Sequence, residues 1–285
     1  IPLRSARQRT GPAAGSADPS GNSLEPVLTL RAGGDRTPLV CVHPGLGLGW
    51  SFANLLPHLD PGRPVHTLQS PGLLTGVDRL PPSMGGMADL YVARLRALLP
   101  HGPYLLLGRS FGGGLAHEMA VRLRRAGEEV RMLAVVDAMP MPDTILGTPL
   151  DPVAVEDELL RILLQSHVPD LPVPPGPLDR ARVFATVRRS GFDALTDPQL
   201  HALVDVGTHH TRVVRHWSPT PYEGRVTLFS ATRDTWPTPA EKTAAWRRVA
   251  AALDVHDLAC GHSDVLTPGP AAEIAAVLET ALRGD

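Results

Sequence analysis

The sequence is poor in several things that other classes of protein require. Its 285 residues include 2 cysteines, too few for a disulfide framework, which points to a reducing, cytoplasmic setting. Neither charge is in excess. With 27 basic and 29 acidic side chains and a net charge of −2, the chain has no basic face to neutralise a phosphate backbone, and this argues against nucleic-acid binding. No apolar run approaches the roughly 20 residues of a membrane-spanning helix. Residues Ile1–Ser23 also lack the apolar stretch of a secretory signal. Metal-ligand spacings are missing: His117-Glu118 has no second histidine four residues on, and the neighbours His209 and His210 fall on different sides of an expected helix. No metal is therefore expected. Lysine is almost absent, Lys242 being the only one, and there is neither a Walker lysine nor a G-x-G-x-x-G. Nucleotide binding has no support.

What is present is apolar enough, at 43%, to fill a sizeable core in one large domain or two small ones. Residues 1–24 are Pro, Gly, Ser, Ala and Arg with few bulky apolar side chains, a composition that cannot offset the entropy of ordering. They read as a flexible interdomain linker, and a start without Met reads as a piece of a longer chain. From residue 25 to 285, apolar runs alternate with helical periodicity. The runs are Val27–Leu30, Leu39–Val42, Val65–Leu68, Tyr104–Leu107, Met132–Val136, Val226–Phe229 and Val255–Leu258. Several lack period-2 alternation, as expected of strands covered on both faces, so a mostly parallel α/β sheet flanked by helices is expected. Helical stripes fall on Met87, Leu90, Tyr91, Leu95 and Leu98, on Leu115, Met119 and Leu123, and on Ile274, Val277, Leu278 and Leu282. Glycines at 127 and 284 follow two of them at a capping distance.

One crossover, from Asp137 to the strand near Val226, is far longer than the dozen or so residues such a connection needs. Asp151-Pro152 and Asp197-Pro198 each place a carboxylate before a first-turn proline, with a Pro-rich break at Val168–Pro177 between them. Residues 141–217 are thus expected to be a helical insertion, read as a lid, with a separately packed subdomain as the alternative.

The chemistry starts at Gly108-Arg109-Ser110-Phe111-Gly112, a G-x-S-x-G match with a strand before it and a helix after it. A serine at that bend has its Oγ forced into the open, and Ser110 is the candidate nucleophile. The alternative is an ordinary serine N-cap. A serine hydroxyl needs an oriented base. The candidate is His262, in Cys260-Gly261-His262-Ser263-Asp264, after the strand ending at Leu258 and before the last helix. His43 is a competitor at the end of an early strand. For the acid, Asp137 and Asp234 both end strands near the expected site, and spacing leaves them level; Asp264 reads as a turn cap. An oxyanion would need two amides: that of Phe111, after the serine, and one from the glycine-rich loop His43–Gly49.

With these residues in place, the sequence resembles a type I thioesterase domain, the terminal release domain of a nonribosomal peptide synthetase, with an α/β-hydrolase fold. The likeness runs from about Pro38 to Leu278. It rests on Pro38–Gly45, Leu68–Leu73, Gly108–Gly113 with Ala116–Met119, Val136–Ala138, Ser230–Asp234 and Cys260–His262. It implies that Asp137 is the triad acid, with Asp234 structural or an alternative acid, and that the second oxyanion donor is the Gly45 amide. It also implies no cofactor bound by the domain itself. The substrate would be a peptidyl thioester on the phosphopantetheine of an upstream carrier domain in the same polypeptide, released from Ser110 by hydrolysis or macrocyclisation. Arg109 departs from the aromatic or histidine usual at its place. The rival readings are a free-standing editing thioesterase, a general serine esterase and a non-catalytic docking module.

Overall fold

The computed structural model describes residues 23–140, 149–167, 171–190, 195–235 and 237–283. The expected linker up to residue 22, parts of the expected insertion (141–148, 168–170 and 191–194) and Gly284 therefore lie outside the described residues. In chain order the elements are β1 (Val27–Arg31), β2 (Leu39–Val42), β3 (Val65–Leu68), α1 (Gly72–Thr75), α2 (Met84–Leu98), β4 (Tyr104–Arg109), α3 (Phe111–Arg125) and β5 (Val130–Val136). They continue with α4 (Pro152–His167), α5 (Arg180–Arg189), α6 (Asp197–Arg215), β6 (Tyr222–Ala231), α7 (Pro239–Arg247), β7 (Ala250–Leu258) and α8 (Pro268–Ala281). A 3₁₀ stretch covers Trp50–His58.

The strands form one seven-stranded sheet in the order β1-β3-β2-β4-β5-β6-β7. Only β1 runs antiparallel to its neighbour; every other pairing is parallel. The unbroken apolar runs have a direct cause, because successive side chains of a strand point to opposite faces and both faces here are covered. Val40 and Val42 of β2 pack with Tyr91 of α2 and Leu115 and Met119 of α3. Leu39 and Cys41 pack on the other side with Phe52, Leu55 and, from α8, Ile274 and Leu278. Cys41 is fully buried, and burial pushes its thiol far above its ordinary range.

The outer strands are longer than their apolar runs. β6 starts at Tyr222 and β7 at Ala250, because half-exposed positions there carry polar side chains such as Arg225 and Asp254, which pair at 2.7 Å. The caps follow local chemistry. Gly127 sits at φ 82°, with Gly127 N–H donating to Arg124 O and Glu128 N–H to Leu123 O, the two bonds of a Schellman ending. Asp151 caps α4 by accepting from Val153 N–H. At α6 the expectation needs correcting. The cap is Thr196, whose N–H donates to Gln199 Oε1, and Asp197 is already the first helical residue.

Between β5 and β6 the described part of the long crossover is helical. α4, α5 and α6 bring Leu160, Leu163, Phe184, Leu200 and Leu203 into a third apolar cluster, together with Leu46 and Leu48 from the loop after β2 and Leu73 of α1. A cleft of about 410 Å³ opens between α4 and α6, lined in part by Leu159 and Ile162. Leu159–Leu164 thus pack among the crossover's own helices rather than on the sheet.

Candidate active site

Ser110 lies where β4 meets α3, with φ 53° and ψ −124°, a backbone conformation that residues with a Cβ rarely adopt. The turn is held by Ser110 N–H donating to Val136 O and Gly113 N–H donating to Ser110 O. The flanking glycines are required by contact. A Cβ on Gly108 would lie 2.0 Å from Gly112 O, and one on Gly112 would lie 2.3 Å from both Val42 O and His43 O. Gly112→Ala is therefore expected to destabilise the fold by at least about 1–3 kcal/mol. Gly33→Ala, where a Cβ meets nothing within 4 Å, should leave the melting temperature nearly unchanged. Thermal unfolding of the two variants checks this. Ser110 is no ordinary N-cap, since its side chain makes no capping bond to α3. Its Oγ is 3.1 Å from His262 Nε2.

His262 stands in a 3₁₀ turn just beyond β7. Its backbone is fixed at both ends: its N–H donates to Asp234 Oδ2 at 2.8 Å and its carbonyl accepts from Arg109 Nη2 at 2.9 Å. Its ring reaches Asp137, with Nδ1 2.6 Å from Oδ2. Both aspartates left level by spacing thus touch His262, one through the imidazole and the other through the main chain. Because Asp137 accepts at Nδ1, that nitrogen carries the proton and Nε2 turns a lone pair to the Ser110 hydroxyl. The histidine side chain is 41% exposed while the Asp137 carboxylate is 2% exposed, so the imidazole is open to an incoming molecule and its partner is not. Asp264 uses its backbone carbonyl, which accepts from Thr267 N–H.

Asp137 has φ 48°, and its N–H donates to Phe229 O. Burial alone would raise its carboxyl. The hydrogen bond and charge of His262, the Lys242 ammonium and the Ala231 N–H outweigh burial and hold it below the usual range. Burial pulls the Arg109 guanidinium down to about 10, with Asp137, Asp264 and Cys260 acting to raise it, so it remains a cation at neutral pH.

The glycine-rich loop lies beside the start of α3. Pro44 O accepts from Gly47 N–H at 3.0 Å and from His43 Nδ1–H at 2.7 Å, and His43 Nε2 accepts from the Tyr91 hydroxyl. These bonds fix the peptide plane that carries the Gly45 N–H, which points away from the held carbonyl because the peptide is planar and trans. Phe111 is the first residue of α3, so its N–H has no partner within the helix. His43 is fully buried, and burial takes its imidazole down to about 4 despite the Pro44 bond. It stays neutral at physiological pH and serves the loop rather than Ser110. His210 of α6 completes the arrangement, donating from Nδ1 to Gly45 O at 2.7 Å and stacking on Phe111 with ring centroids 4.1 Å apart.

Sequence patterns and the family resemblance point to Ser110, His262, Asp137, Phe111 and Gly45, but assign no role to Arg109, Lys242, His210 or the main-chain grip of Asp234. Thr238-Pro239-Ala240-Glu241 is a capping-box pattern with a first-turn proline and marks the helix that carries Lys242. Among the described residues no three His, Cys, Asp or Glu side chains gather to hold a metal ion, and no helix is long and apolar enough to cross a membrane.

Comparison with known proteins adds to this geometry. A family model described as "Thioesterase domain" matches residues 37–282. The chain is 32% identical over 271 residues to a dimodular nonribosomal peptide synthase of Bacillus subtilis (strain 168), covering 93% of this chain and 11% of that protein. It is 30% identical over 260 residues to enterobactin synthase component F of Escherichia coli (strain K12), covering 91% of this chain and 18% of that one. The chain thus spans less than a fifth of either relative. The crystal structure of the NocB thioesterase domain from the nocardicin cluster superposes with a TM-score of 0.66 at 25% identity, over 90% of this chain and 99% of that one.

Proposed function

The chain belongs to the thioesterase domain family, and from that premise we propose that it releases a peptidyl chain from the phosphopantetheine thioester of a carrier domain through an acyl-enzyme on Ser110. The observation that carries the reading is the relay from Asp137 Oδ2 through His262 to Ser110 Oγ, at 2.6 and 3.1 Å. The relatives support the substrate class, since the long protein matched in B. subtilis is a nonribosomal peptide synthase. An upstream carrier domain in the same polypeptide is the partner this reading requires. The domain needs no cofactor of its own, because the pantetheine arm arrives as part of the substrate.

In the acylation step, His262 Nε2 takes the proton from Ser110 as Oγ bonds to the thioester carbon, and the carbonyl oxygen becomes an oxyanion. The Phe111 and Gly45 amides are its donors. The first is free at a helix start and the second is held in a fixed plane by His43 and Gly47; removing one such donor costs about 2.7–4 kcal/mol of barrier. The C–S bond then breaks, and the thiolate leaves with the proton from the imidazolium. A thiol of pKa near 8.5 needs less help in leaving than an alcohol does. Next, water or an amine or hydroxyl of the chain itself attacks the Ser110 ester. His262 takes the attacker's proton and returns it to Ser110 Oγ, giving a linear acid or a ring. Asp137 holds the Nδ1–H tautomer and stabilises the imidazolium.

The crossover helices serve as the lid in this reading. Gln165 of α4 accepts from Ser263 Oγ–H beside the histidine and His210 of α6 holds the oxyanion loop, so two of the crossover helices touch the site. The test is intact-protein mass after mixing with a peptidyl thioester on a pantetheine mimic, with the products analysed in parallel. An acyl increment is expected, and the ratio of linear to cyclic product then gives the release mode. No adduct and no thiol release from several chemically different thioesters would overturn the reading. Labelling by a serine-reactive phosphonate would then separate a general esterase from a docking module.

A further inference from the structure

Lys242 is the only lysine in a chain with 27 lysine and arginine side chains, and it is 1% exposed. Its Nζ is 2.6 Å from Asp137 Oδ1 and 3.0 Å from Ala231 O. Asp137 Oδ1 also accepts from Ala231 N–H at 2.8 Å, leaving Oδ2 for His262. One turn further along α7, Trp246 Nε1 donates to Ala138 O at 2.7 Å. The helix therefore clasps two consecutive residues at the strained end of β5, the first by its carboxylate and the second by its carbonyl. Hydrogen bonds alone would not call for a cation here, and if a surface-type cation sufficed, arginine is the residue this chain otherwise uses. A compact ammonium brings a point charge and donors that turn to suit a closed site; a planar guanidinium would need more room.

We propose that Lys242 is a positioning residue of the Ser110 site, fixing the Asp137 carboxylate by its far oxygen and offsetting its charge, and so setting how firmly that carboxylate holds the imidazolium formed during the reaction. This rests on the reading of Ser110, His262 and Asp137 given above. The physical basis is the competition for one carboxylate. A buried carboxylate with no other cation near it favours imidazolium, and a second cation on its far oxygen weakens that preference. Several other groups face the pair. Arg109 at the end of β4 adds a positive charge, and Asp234 after β6 and Asp264 in the histidine's own turn add negative ones. The Cys260 thiol is pushed up to about 11, mainly by burial and further by the nearby carboxylates, and stays neutral. Of these groups, Lys242 alone is both buried and bonded to the carboxylate that touches the ring.

The sign of the effect follows. Without the Lys242 charge, the coupled Asp137–His262 pair holds its proton to higher pH, and the acid limb of kcat/KM moves up. In Lys242→Met the midpoint of that limb is expected to rise by about one unit, which lowers kcat/KM about tenfold at pH values below it. The loss should fall on kcat with KM little changed. Lys242→Arg, which keeps the charge, should retain the wild-type midpoint even if its turnover drops. Thiol release from a pantetheine-mimic thioester, followed from about pH 5 to about pH 9 together with the melting temperature of each variant, reads all of this. Lys242→Gln supplies the neutral arm if the methionine variant does not fold. A folded neutral variant with the wild-type midpoint overturns the proposal and leaves Lys242 a purely structural cation. So does a folded arginine variant whose midpoint rises by about one unit, the shift expected for loss of the charge, and this arm decides even if neither neutral variant folds. Asp137→Asn run alongside separates the two levels. If it keeps wild-type turnover, the triad reading itself fails; if it is inactive while the Lys242 variants keep the wild-type profile, only this inference fails.

Discussion

Ser110→Ala is expected to remove acyl-enzyme formation altogether and to lower thioester turnover by about 10⁶. The size of the loss follows from how the remaining groups work. With no oxygen at position 110, His262 has no nucleophile to deprotonate and Asp137 has no imidazolium to stabilise, so the relay loses its function as a unit. What survives is the catalysis that the Phe111 and Gly45 donors give to direct attack by water, about 10³–10⁴ over solution. The loss should come without loss of stability. The strained backbone at φ 53° is kept by alanine as by serine, since both carry a Cβ, and the bonds that hold the turn come from main-chain atoms. The Ser110 hydroxyl makes no capping bond to α3, so its removal frees no helix donor. Thiol release, adduct mass and thermal unfolding measured on one preparation check the result. An adduct on the alanine variant would place the nucleophile elsewhere, and a large fall in melting temperature would mean that Ser110 has a structural role which these contacts do not contain.

Sequence reading reached different depths in different places, for physical reasons. The central strands were legible because burial on both faces leaves no room for polar side chains, and Leu39–Val42 was bounded to the residue. The ends of β6 and β7 were not, because a half-exposed strand at the sheet margin mixes Glu223, Arg225 and Asp254 with its apolar residues. Ser110 stood out because a strained strand-to-helix turn requires glycine on both sides, and those glycines are visible in the sequence. His262 was found by its place after a strand. Asp137 and Asp234 stayed level because spacing brings a residue to a sheet edge and says nothing about whether its carboxylate will meet a ring or a main-chain amide; here one does each. Lys242 was noticed only as a rarity. Its contact with Asp137 spans 105 positions and depends on how α7 docks on the strand end, which no local pattern encodes.

That division between ring and main chain makes the last expectation sharp. Asp137→Asn should lower turnover by about 10⁴, while Asp234→Asn should stay within about tenfold of wild type. At 137 an amide can offer its NH₂ to His262 Nδ1 and so stabilise the tautomer that has its proton on Nε2, where no lone pair is left for Ser110. It also cannot stabilise the imidazolium that forms in each step. At 234 an asparagine keeps a carbonyl oxygen to accept the His262 N–H, so what is lost is the strength of one charge-assisted bond and not the direction of the ring. The two substitutions should differ in stability as well. Asn at 137 leaves the Lys242 ammonium buried without its counter-charge, and breaking a buried pair from one side costs about 3–5 kcal/mol. Turnover must therefore be expressed per folded molecule, with each variant assayed well below its own melting temperature. If Asp234→Asn were the crippled variant and Asp137→Asn the mild one, the carboxylate touching the imidazole in this structure would not be the one that matters in the reaction. The histidine would then have to turn toward Asp234 when substrate binds, giving up the 2.6 Å contact that now fixes it.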